Sequence, residues 1–357
     1  MTYSILVLNS GSTSTKMAVY ADQEKVLQKE YSHSRELLKS YPSVAAQLPL
    51  REEIANSFIA EEAAAFAPFD AIMARGGLLG PIHSGGYIIN QCMVDYLRDI
   101  CKEEHASNLA AYIAFDLAKK HNIPHAFIYD GVTTDELEPI ARISGIADMP
   151  RISTTHALNM RATAHKVAQD LHKPYKDLTV AVAHLGGGIS MNLHHKGRMV
   201  DVVGDDEGPF SPERAGGQQG IQLMKYMEKI PDSHSKLRLM RGNSGFISYF
   251  GSNDAREVEK RIEAGDEQAE LIFNAMALQI AKSLAGLSVF TCGQLDAIVL
   301  TGGLAYSQRL VEEIRRRVSF IAPVLVYPGE NEMESLAFGA YRILTGEETA
   351  REFTYEA

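Results

Sequence analysis

Near its start the chain reads Ile5-Leu6-Val7-Leu8-Asn9-Ser10-Gly11-Ser12-Thr13-Ser14-Thr15-Lys16-Met17-Ala18-Val19-Tyr20. Two apolar runs typical of buried strands flank a polar turn of small residues. Such a turn suits phosphate, because hydroxyls and Lys16 donate hydrogen bonds and Gly11 lets an anion approach the backbone. It is not a P-loop, since the second glycine is missing and a strand follows Lys16. Taken alone, the pattern also fits an ordinary hairpin.

The same arrangement returns half a chain later as Val180-Ala181-Val182-Ala183-His184-Leu185-Gly186-Gly187-Gly188-Ile189-Ser190-Met191-Asn192-Leu193. Three consecutive glycines indicate a close approach to the backbone, and His184 can donate to an oxyanion. Further on, Thr301-Gly302-Gly303 links an apolar strand to a helix, where phosphate or adenosine can bind. A purely structural glycine turn is the alternative for both. Their occurrence together, in this order, predicts that two similar halves bind a nucleotide.

Composition narrows the class of protein. With 357 residues, 45% of them hydrophobic, the chain suits two domains of a globular protein. A net charge of −10 argues against nucleic acid as the partner. The three cysteines form no Cys-x-x-Cys pair, so we expect free, buried thiols in a reducing cytoplasm. We also expect no membrane partner, because no leader and no apolar run of membrane-spanning length stands out.

Strands and helices alternate in two successive sets, which indicates an α/β chain of two related halves. Symmetry places the boundary between about Pro150 and Asp177. Polar residues stand at the ends of predicted strands or the starts of predicted helices, and most also have a purely structural explanation as a cap, an ion pair or a partner of the helix dipole. These residues are Arg75, Asp130, His105, His156, Asp254, Arg256, Glu330, Glu332 and Glu334. We expect His194 and His195 to be solvated in a hairpin.

A set of motifs along the chain resembles the acetokinase family within the actin-like ATPase superfold. The motifs are Asn9–Lys16, Arg75-Gly-Gly, His105-Ala-Ser-Asn108, Asp130-Gly131, Thr155-His156-Ala-Leu-Asn159, His184–Gly188, Gly208-Pro-Phe-Ser-Pro-Glu-Arg-Ala-Gly216, Thr301-Gly-Gly303 and Pro328-Gly-Glu-Asn-Glu332. The resemblance implies an α/β fold of two duplicated ribonuclease H-like domains with a cleft between them. Residues 1–155, with a terminal helix at 335–357 packing back, would form one domain. Residues 156–334 would form the nucleotide-binding domain, and the protein would be a homodimer or a higher homo-oligomer.

The resemblance also implies roles for individual residues. Arg75, Asp130, His184 and Arg214 would be catalytic. Mg²⁺ would be held by Asn9, Asp130 and Glu332. ATP and ADP would be bound by Asn9, Ser12, Ser14, Lys16, His156, Gly186, Gly187, Gly188, Asp254, Arg256, Gly302 and Gly303.

The implied activity is phosphoryl transfer from ATP to a small-molecule carboxylate. Two departures from the acetate enzymes favour butyrate: those enzymes carry Asn where Gly187 stands and Phe-His where Arg151-Ile152 aligns. This chain is also shorter. Isobutyrate, propionate and acetate are alternative substrates. A sugar kinase with Asp130 as its base and an actin-like ATP-binding switch are more distant alternatives.

Overall fold

The computed structural model describes residues 2–355. Twelve strands occur in this part of the chain. They are β1 (Ser4–Ser10), β2 (Ser14–Ala21), β3 (Glu24–Ser32), β4 (Ala71–Arg75), β5 (Gly86–Ile88), β6 (His125–Tyr129), β7 (Thr179–Leu185), β8 (Ile189–His195), β9 (Arg198–Val203), β10 (Ala297–Gly302), β11 (Val324–Pro328) and β12 (Arg351–Glu352).

The helices alternate with these strands. They are α1 (Arg35–Lys39), α2 (Leu48–Ser57), α3 (Gln91–Asp95), α4 (Ala106–His121), α5 (Pro139–Arg142), α6 (Ala157–Asp170), α7 (Gly220–Met227), α8 (Ser233–Met240), α9 (Phe246–Phe250), α10 (Ala255–Glu263), α11 (Glu267–Ser288), α12 (Gln308–Val318) and α13 (Glu332–Leu344). A tight turn of helix, Gly303–Tyr306, follows β10 directly.

The chain folds as two compact units. The first unit runs to Asp135 and resumes at Asn331, and the second unit is Glu136–Glu330. The second unit therefore begins earlier than the range from about Pro150 to Asp177 in which symmetry places the boundary. The terminal helix α13 belongs to the first unit and contacts β1 and β4. Residues 356 and 357 of the predicted terminal helix lie outside the described residues.

The first unit has one seven-stranded sheet in the order β12-β5-β6-β4-β1-β2-β3. β1 pairs antiparallel with β2 and parallel with β4, and β4 pairs parallel with β6. Side chains alternate across a strand, so Leu6 and Leu8 face the core formed with α2 and α4. Ile5 and Val7 are also fully buried. Burial on both faces explains why β1 reads as one continuous apolar run.

The second unit has a five-stranded sheet in the order β11-β10-β7-β8-β9. Ala181, Ala183 and Leu185 of β7 pack against α10, α11 and α12, and Val180 and Val182 pack against α6. Two antiparallel hairpins followed by two parallel strands occur in both sheets. The prediction of an α/β fold built from a repeated unit is therefore confirmed.

Helix α11 is the central helix of the second unit. Extended to Thr291, it is long and apolar enough to span a membrane by length and composition, so the expectation that no segment reaches that length is wrong. Half of its most apolar window is nevertheless buried. Phe273, Met276 and Ile280 are completely covered by the core of this unit, which is what a core helix of this length requires.

Two smaller expectations are also wrong. His194 is fully buried on β8 rather than solvated, because its strand position faces inward and the Tyr175 hydroxyl lies 2.9 Å from its Nδ1. Cys92 and Cys292 are exposed rather than buried, and Cys101 is partly exposed.

Candidate active site

Three parallel strands of the first unit bring polar residues to one edge of the sheet. Leu8 of β1 is opposite Ala74 of β4, and Arg75 of β4 is opposite Tyr129 of β6. Asn9, Arg75 and Asp130 therefore stand at the carboxyl ends of neighbouring strands, where binding sites of α/β proteins form.

Two glycines allow these strand ends to lie close together. A Cβ atom at Gly76 would be 2.7 Å from the Cα of Gly131, which is closer than non-bonded carbon atoms pack. The Arg75-Gly-Gly and Asp130-Gly motifs of the sequence thus belong to one packed junction.

Arg75 and Asn9 share a partner in Glu332, the first residue of α13. Nη1 of Arg75 lies 3.0 Å from Oε1 of Glu332, and Nδ2 of Asn9 donates to Oε2 at 2.7 Å. About a quarter of each of the Arg75 and Glu332 side chains is exposed. The Asn9 side chain is buried, and its Oδ1 atom has no hydrogen-bond partner among the described residues. A buried oxygen without a partner can coordinate a cation or accept a hydrogen bond from a ligand.

His105 lies near this cluster at the start of α4. Its Nδ1 accepts a hydrogen bond from the backbone N–H of Ser107 at 3.2 Å, which caps the helix. Burial, and secondarily the positive charge of Arg75, lowers the pKa of His105. The capping role expected for His105 is confirmed.

Asp130 is held rigidly just after β6. Its backbone adopts a left-handed φ of 41°, and its Oδ1 accepts a hydrogen bond from the Gly85 N–H at 2.7 Å. The side chain is buried. A fixed carboxylate at this position suits a role in organising a cation or a substrate hydroxyl.

The polar side chains of the first turn differ in their exposure to solvent. Ser12 is exposed at the tip, whereas Ser14 is buried at the start of β2. Lys16 lies opposite Asn9 in the hairpin, but its Nζ is 3.7 Å from Glu30 on β3. The structure therefore places Asn9 and Lys16 at one turn and partly offsets the lysine charge with a neighbouring carboxylate.

Arg51 of α2 braces this turn, and sequence reasoning missed it. The side chain is completely buried. Its Nη1 lies within hydrogen-bond distance of four oxygens of the turn, Ser10 Oγ, Gly11 O, Ser14 O and Thr15 Oγ1, at 2.9–3.2 Å. Nη2 donates to Gln47 at 3.0 Å. Every one of these acceptors is neutral, so a buried positive charge lies directly beneath the turn. Nothing in its local sequence signals this, because Arg51 stands in a polar helix.

The second unit builds a comparable edge from β7 and β10. His184 on β7 is opposite Thr301 on β10. Gly302 has φ of +88°, and a Cβ there would lie 2.4 Å from the carbonyl oxygen of Leu185. Only glycine fits this position, and it holds the two strand ends together. Gly303, by contrast, has nothing within 4 Å of a built Cβ atom.

His184 is buried at the entry to the glycine turn. Nδ2 of Asn159 lies 2.8 Å from its Nδ1, and its Nε2 lies 3.2 Å from Oε1 of Glu330. The ring of His156 stacks on it at 4.0 Å between centroids, and Ser190 Oγ lies 2.8 Å from Nδ1 of His156. His156 precedes α6, but its side chain makes no capping hydrogen bond.

The glycine turn is tied to the segment that carries Arg214. The carbonyl of Gly187 accepts from the Ser211 hydroxyl and from the Glu213 N–H, and the Gly186 N–H donates to Gly188 O at 3.1 Å. Nε of Arg214 lies 3.4 Å from Oδ2 of Asp205, too poorly aligned for a hydrogen bond. The structure thus brings His184, the three glycines and Arg214 together.

A cavity of about 730 Å³ opens beside this turn. Its lining includes Gly186, Gly187, Asp254, Arg256 and Gly303. This volume lies within the range of small-molecule sites. Residues of the second and third glycine motifs thus line one cavity.

Asp254 and Arg256 also have a structural role at the start of α10. Asp254 caps α10 by accepting from the Arg256 N–H at 2.9 Å. The Arg256 guanidinium hydrogen-bonds the same carboxylate and lowers the pKa of Asp254 to about 2. The two residues therefore line the cavity and also cap the helix.

The predicted metal ligands Asn9, Asp130 and Glu332 all lie in the first unit. Residues 2–355 contain no cluster of three or more His, Cys, Asp or Glu side chains able to hold a metal by themselves. Oxygen donors are nevertheless what Mg²⁺ prefers, and it commonly takes only one or two carboxylates besides water and substrate phosphate. The buried, unpartnered Oδ1 of Asn9 fits such a cation.

Comparison with known proteins agrees with this architecture. An acetate kinase from Porphyromonas gingivalis matches with a TM-score of 0.77 and 19% identity, over 96% of this chain and 100% of that chain. A propionate kinase from Francisella tularensis matches with 0.76 and 18%, and an acetate kinase from Entamoeba histolytica with 0.77 and 16%, each over 94% of this chain and 98% of theirs. At these identities the likeness shows the fold.

Family membership rests on the sequence. A model of the acetokinase family matches residues 151–332, just over half of the chain. The chain belongs to the acetokinase family.

Proposed function

We propose that this protein transfers the γ-phosphoryl group of ATP to the carboxylate of butyrate, giving butyryl phosphate and ADP. The observation that carries the proposal is the ion pair of Arg75 with Glu332 at 3.0 Å. The guanidinium at the carboxyl end of β4 is thus in contact with a carboxylate. In a member of the acetokinase family, a carboxylate is also the group that the substrate would present. Arg binds carboxylate and phosphate in the same planar geometry.

The chemistry needs little from the protein beyond positioning and charge. A short-chain carboxylate is ionised at pH 7, so no general base has to remove a proton. One carboxylate oxygen forms a bond to the γ-phosphorus while the bond from that phosphorus to the ADP oxygen breaks. Negative charge spreads over the three remaining phosphoryl oxygens. We assign Arg75, Arg214, His184 and Lys16 to stabilise that charge.

Asn9, Asp130 and Glu332 are the residues we assign to Mg²⁺. When bound, the cation would neutralise charge on the β- and γ-phosphates of ATP. The oxygen-only donor set supports this assignment, as does the orphaned Asn9 Oδ1. The hydrogen bond from the Gly85 N–H fixes the Asp130 carboxylate. The proposed reaction does not require Asp130 to transfer a proton.

The nucleotide is assigned to the second unit, with Ser12, Ser14 and Lys16 of the first turn acting on its terminal phosphate. Gly186, Gly187 and Gly188 would let phosphate approach the backbone, with His156 supporting the neighbouring His184 ring. Gly302, Gly303, Asp254 and Arg256 would receive the adenosine. The cavity that joins most of these residues supports this assignment.

Three features favour butyrate over acetate. A Cβ at Gly187 would lie 3.0 Å from Glu213, so the Asn of the acetate enzymes would not fit this turn unchanged. Arg151 and Ile152 stand where the Phe-His pair of the acetate enzymes aligns, and Ile152, at the place of the His, is largely exposed. The chain is also shorter than those enzymes. Homo-oligomer formation and a cytoplasmic location stay predictions.

Hydroxamate trapping of acyl phosphate, run across straight and branched acids of two to six carbons, tests the proposal. We expect kcat/KM to be highest for butyrate. Cross-reaction with isobutyrate and propionate should follow, because an apolar pocket separates homologues by only about 1–3 kcal/mol per methylene.

The other outcomes identify the alternatives. A maximum at acetate, propionate or isobutyrate would move the substrate within the family. Phosphorylation of a sugar hydroxyl would indicate a sugar kinase. ATP hydrolysis that no carboxylate stimulates would indicate an ATP-binding switch.

A further inference from the structure

Asn159 belongs to the Thr155–Asn159 motif but has no role in the function proposed above. It is the third residue of α6, in the first turn of the helix, and its side chain is buried. Its Nδ2 atom is 2.8 Å from Nδ1 of His184. On its other side, the Thr163 hydroxyl donates to the Asn159 carbonyl oxygen at 2.8 Å and lies 3.4 Å from Oδ1.

The contacts on the two ring nitrogens of His184 select the same tautomer. An amide NH₂ group donates and cannot accept, so Nδ1 of His184 must carry no hydrogen. An ionised carboxylate accepts and cannot donate, so Nε2, which faces Glu330 at 3.2 Å, must carry one. The two neighbours come from different elements, and the neutral form with hydrogen on Nε2 follows from the two contacts taken together.

The Nε2 atom also faces the glycine turn. A Cβ atom built on Gly186 would lie 3.1 Å from it, so the missing side chain leaves that side of the ring open. Glu330 shows that an anionic oxygen can accept from Nε2 there. A phosphoryl oxygen is an acceptor of the same kind.

We propose that Asn159 is a positioning residue that fixes the tautomer of His184, so that Nε2–H is aimed at the glycine turn as a donor to an anionic phosphoryl oxygen. This rests on the proposed function for its use in phosphoryl transfer. The tautomer itself follows from the contacts and can be measured without any substrate.

The first experiment is ¹⁵N NMR of the histidine side chains in the full-length wild-type protein at pH 8. The chain has 12 histidines, and the signals lost in His184→Gln identify the ring of interest. We expect His184 to be neutral with hydrogen on Nε2. Hydrogen on Nδ1 would overturn the proposal without the need for any further variant.

Asn159→Asp is the decisive variant, because it keeps the shape and reverses the hydrogen-bond demand. A carboxylate must accept, so Nδ1 of His184 gains hydrogen, and the neutral ring then has none on Nε2. His156 and Glu330, the titratable groups that face this ring, stay unchanged. Ser190→Ala is the matched control, since it alters the partner of His156 and should leave the His184 tautomer as in the wild type.

Kinetics give the second readout. At pH 8 we expect Asn159→Asp to lower kcat by about 10²-fold, the loss typical of one removed transition-state donor. KM for ATP and acid should change much less. Asn159→Leu, which imposes neither tautomer, should lose less.

The outcomes separate the two claims. An unchanged His184 tautomer in Asn159→Asp overturns the proposal. A changed tautomer with wild-type kcat overturns the positioning role and removes His184 from the proposed mechanism. A wild-type protein that has the Nε2–H tautomer but forms no acyl phosphate refutes the proposed function, while the role of Asn159 in setting the tautomer still stands.

Discussion

A few side chains, placed at the ends of strands, carry the proposed chemistry. In the first unit Arg75 and Asn9 meet at Glu332, and in the second unit His184 is fixed between Asn159 and Glu330. Asn9 keeps one buried acceptor, Oδ1, without a partner among the described residues, whereas each ring nitrogen of His184 faces a polar neighbour.

Arg75→Ala should lower kcat for acyl phosphate formation by about 10²- to 10³-fold, because it removes a charged donor from the transferring group. The fold should stay intact, since the side chain is partly exposed and its contacts lie at the sheet edge. Steady-state hydroxamate assays and thermal melting measure the two effects. Arg98→Ala, at an exposed arginine that pairs with Asp95 and Asp99, is the control. Near-wild-type turnover in Arg75→Ala would remove Arg75 from the mechanism.

Arg51→Met should destabilise the protein by about 2–4 kcal/mol, because it leaves several buried acceptors of the first turn without a donor. Urea unfolding at pH 7.5 measures this. Arg315→Met, which breaks an exposed ion pair with Glu312, should stay within about 0.5 kcal/mol of the wild type. Equal stability of the two variants would contradict the bracing role.

The sequence predicts the residues that lie on the turns themselves but not those that support them. Asn9, His184 and Gly302 could be found because each interrupts an apolar strand. Arg51 and the buried His194 could not, since one stands in a polar helix and the other at the end of a hairpin strand. The proximity of Lys16 to Glu30 depends on the register of β3 and could not be predicted from the local sequence.

At the scale of elements, the strand–turn–strand repeat and the strand–glycine–helix junction explain where the candidate site forms. Apolar runs buried on both faces specify β1, β7 and β10. Register then brings their polar ends side by side. Local pattern could predict these strands but not their order in each sheet.

Gly302→Ala should destabilise the second unit by about 2–4 kcal/mol, because a side chain is strained at positive φ and would clash with the Leu185 carbonyl. Gly303→Ala is an adjacent control with open space around its Cβ, and its unfolding free energy should change by less than about 1 kcal/mol. Both are measured by chemical denaturation without ligand. The tight junction would be refuted if both variants were equally stable.

At the scale of the whole molecule, the two units share an α/β topology but differ in the chemical groups that they contribute. The first unit supplies carboxylates, an amide and cationic side chains, and the second supplies glycine backbone, an imidazole and a cavity. The repeat could be read from the sequence. The boundary at Glu136 could not, because no change of composition marks it.

Stability should fall as the pH drops below about 6.5, the usual pKa of His in an unfolded chain. Burial, and secondarily the charge of Arg161, lowers the pKa of His194 to about 3 in the folded protein. Between these values the unfolded chain binds a proton that the folded one excludes, so this contribution is complete above pH 6.5 and is lost on acidification.

The free energy of unfolding of the wild type should fall between pH 7.5 and pH 5.0. In His194→Gln this fall should be smaller by about 2 kcal/mol, as measured by urea unfolding at the two pH values. His195→Gln, at the adjacent and partly exposed histidine, should show a smaller change. Parallel losses in the wild type and His194→Gln would show that His194 does not govern the acid response.

The central claim is that a carboxylate oxygen attacks the γ-phosphorus of ATP. Incubation with Mg²⁺, ATP and butyrate carrying ¹⁸O in both carboxylate oxygens, followed by ³¹P NMR, tests it directly. The account predicts an acyl phosphate with one ¹⁸O atom bonded to phosphorus. Release of unlabelled inorganic phosphate, with no labelled acyl phosphate, would show attack by water and would contradict it.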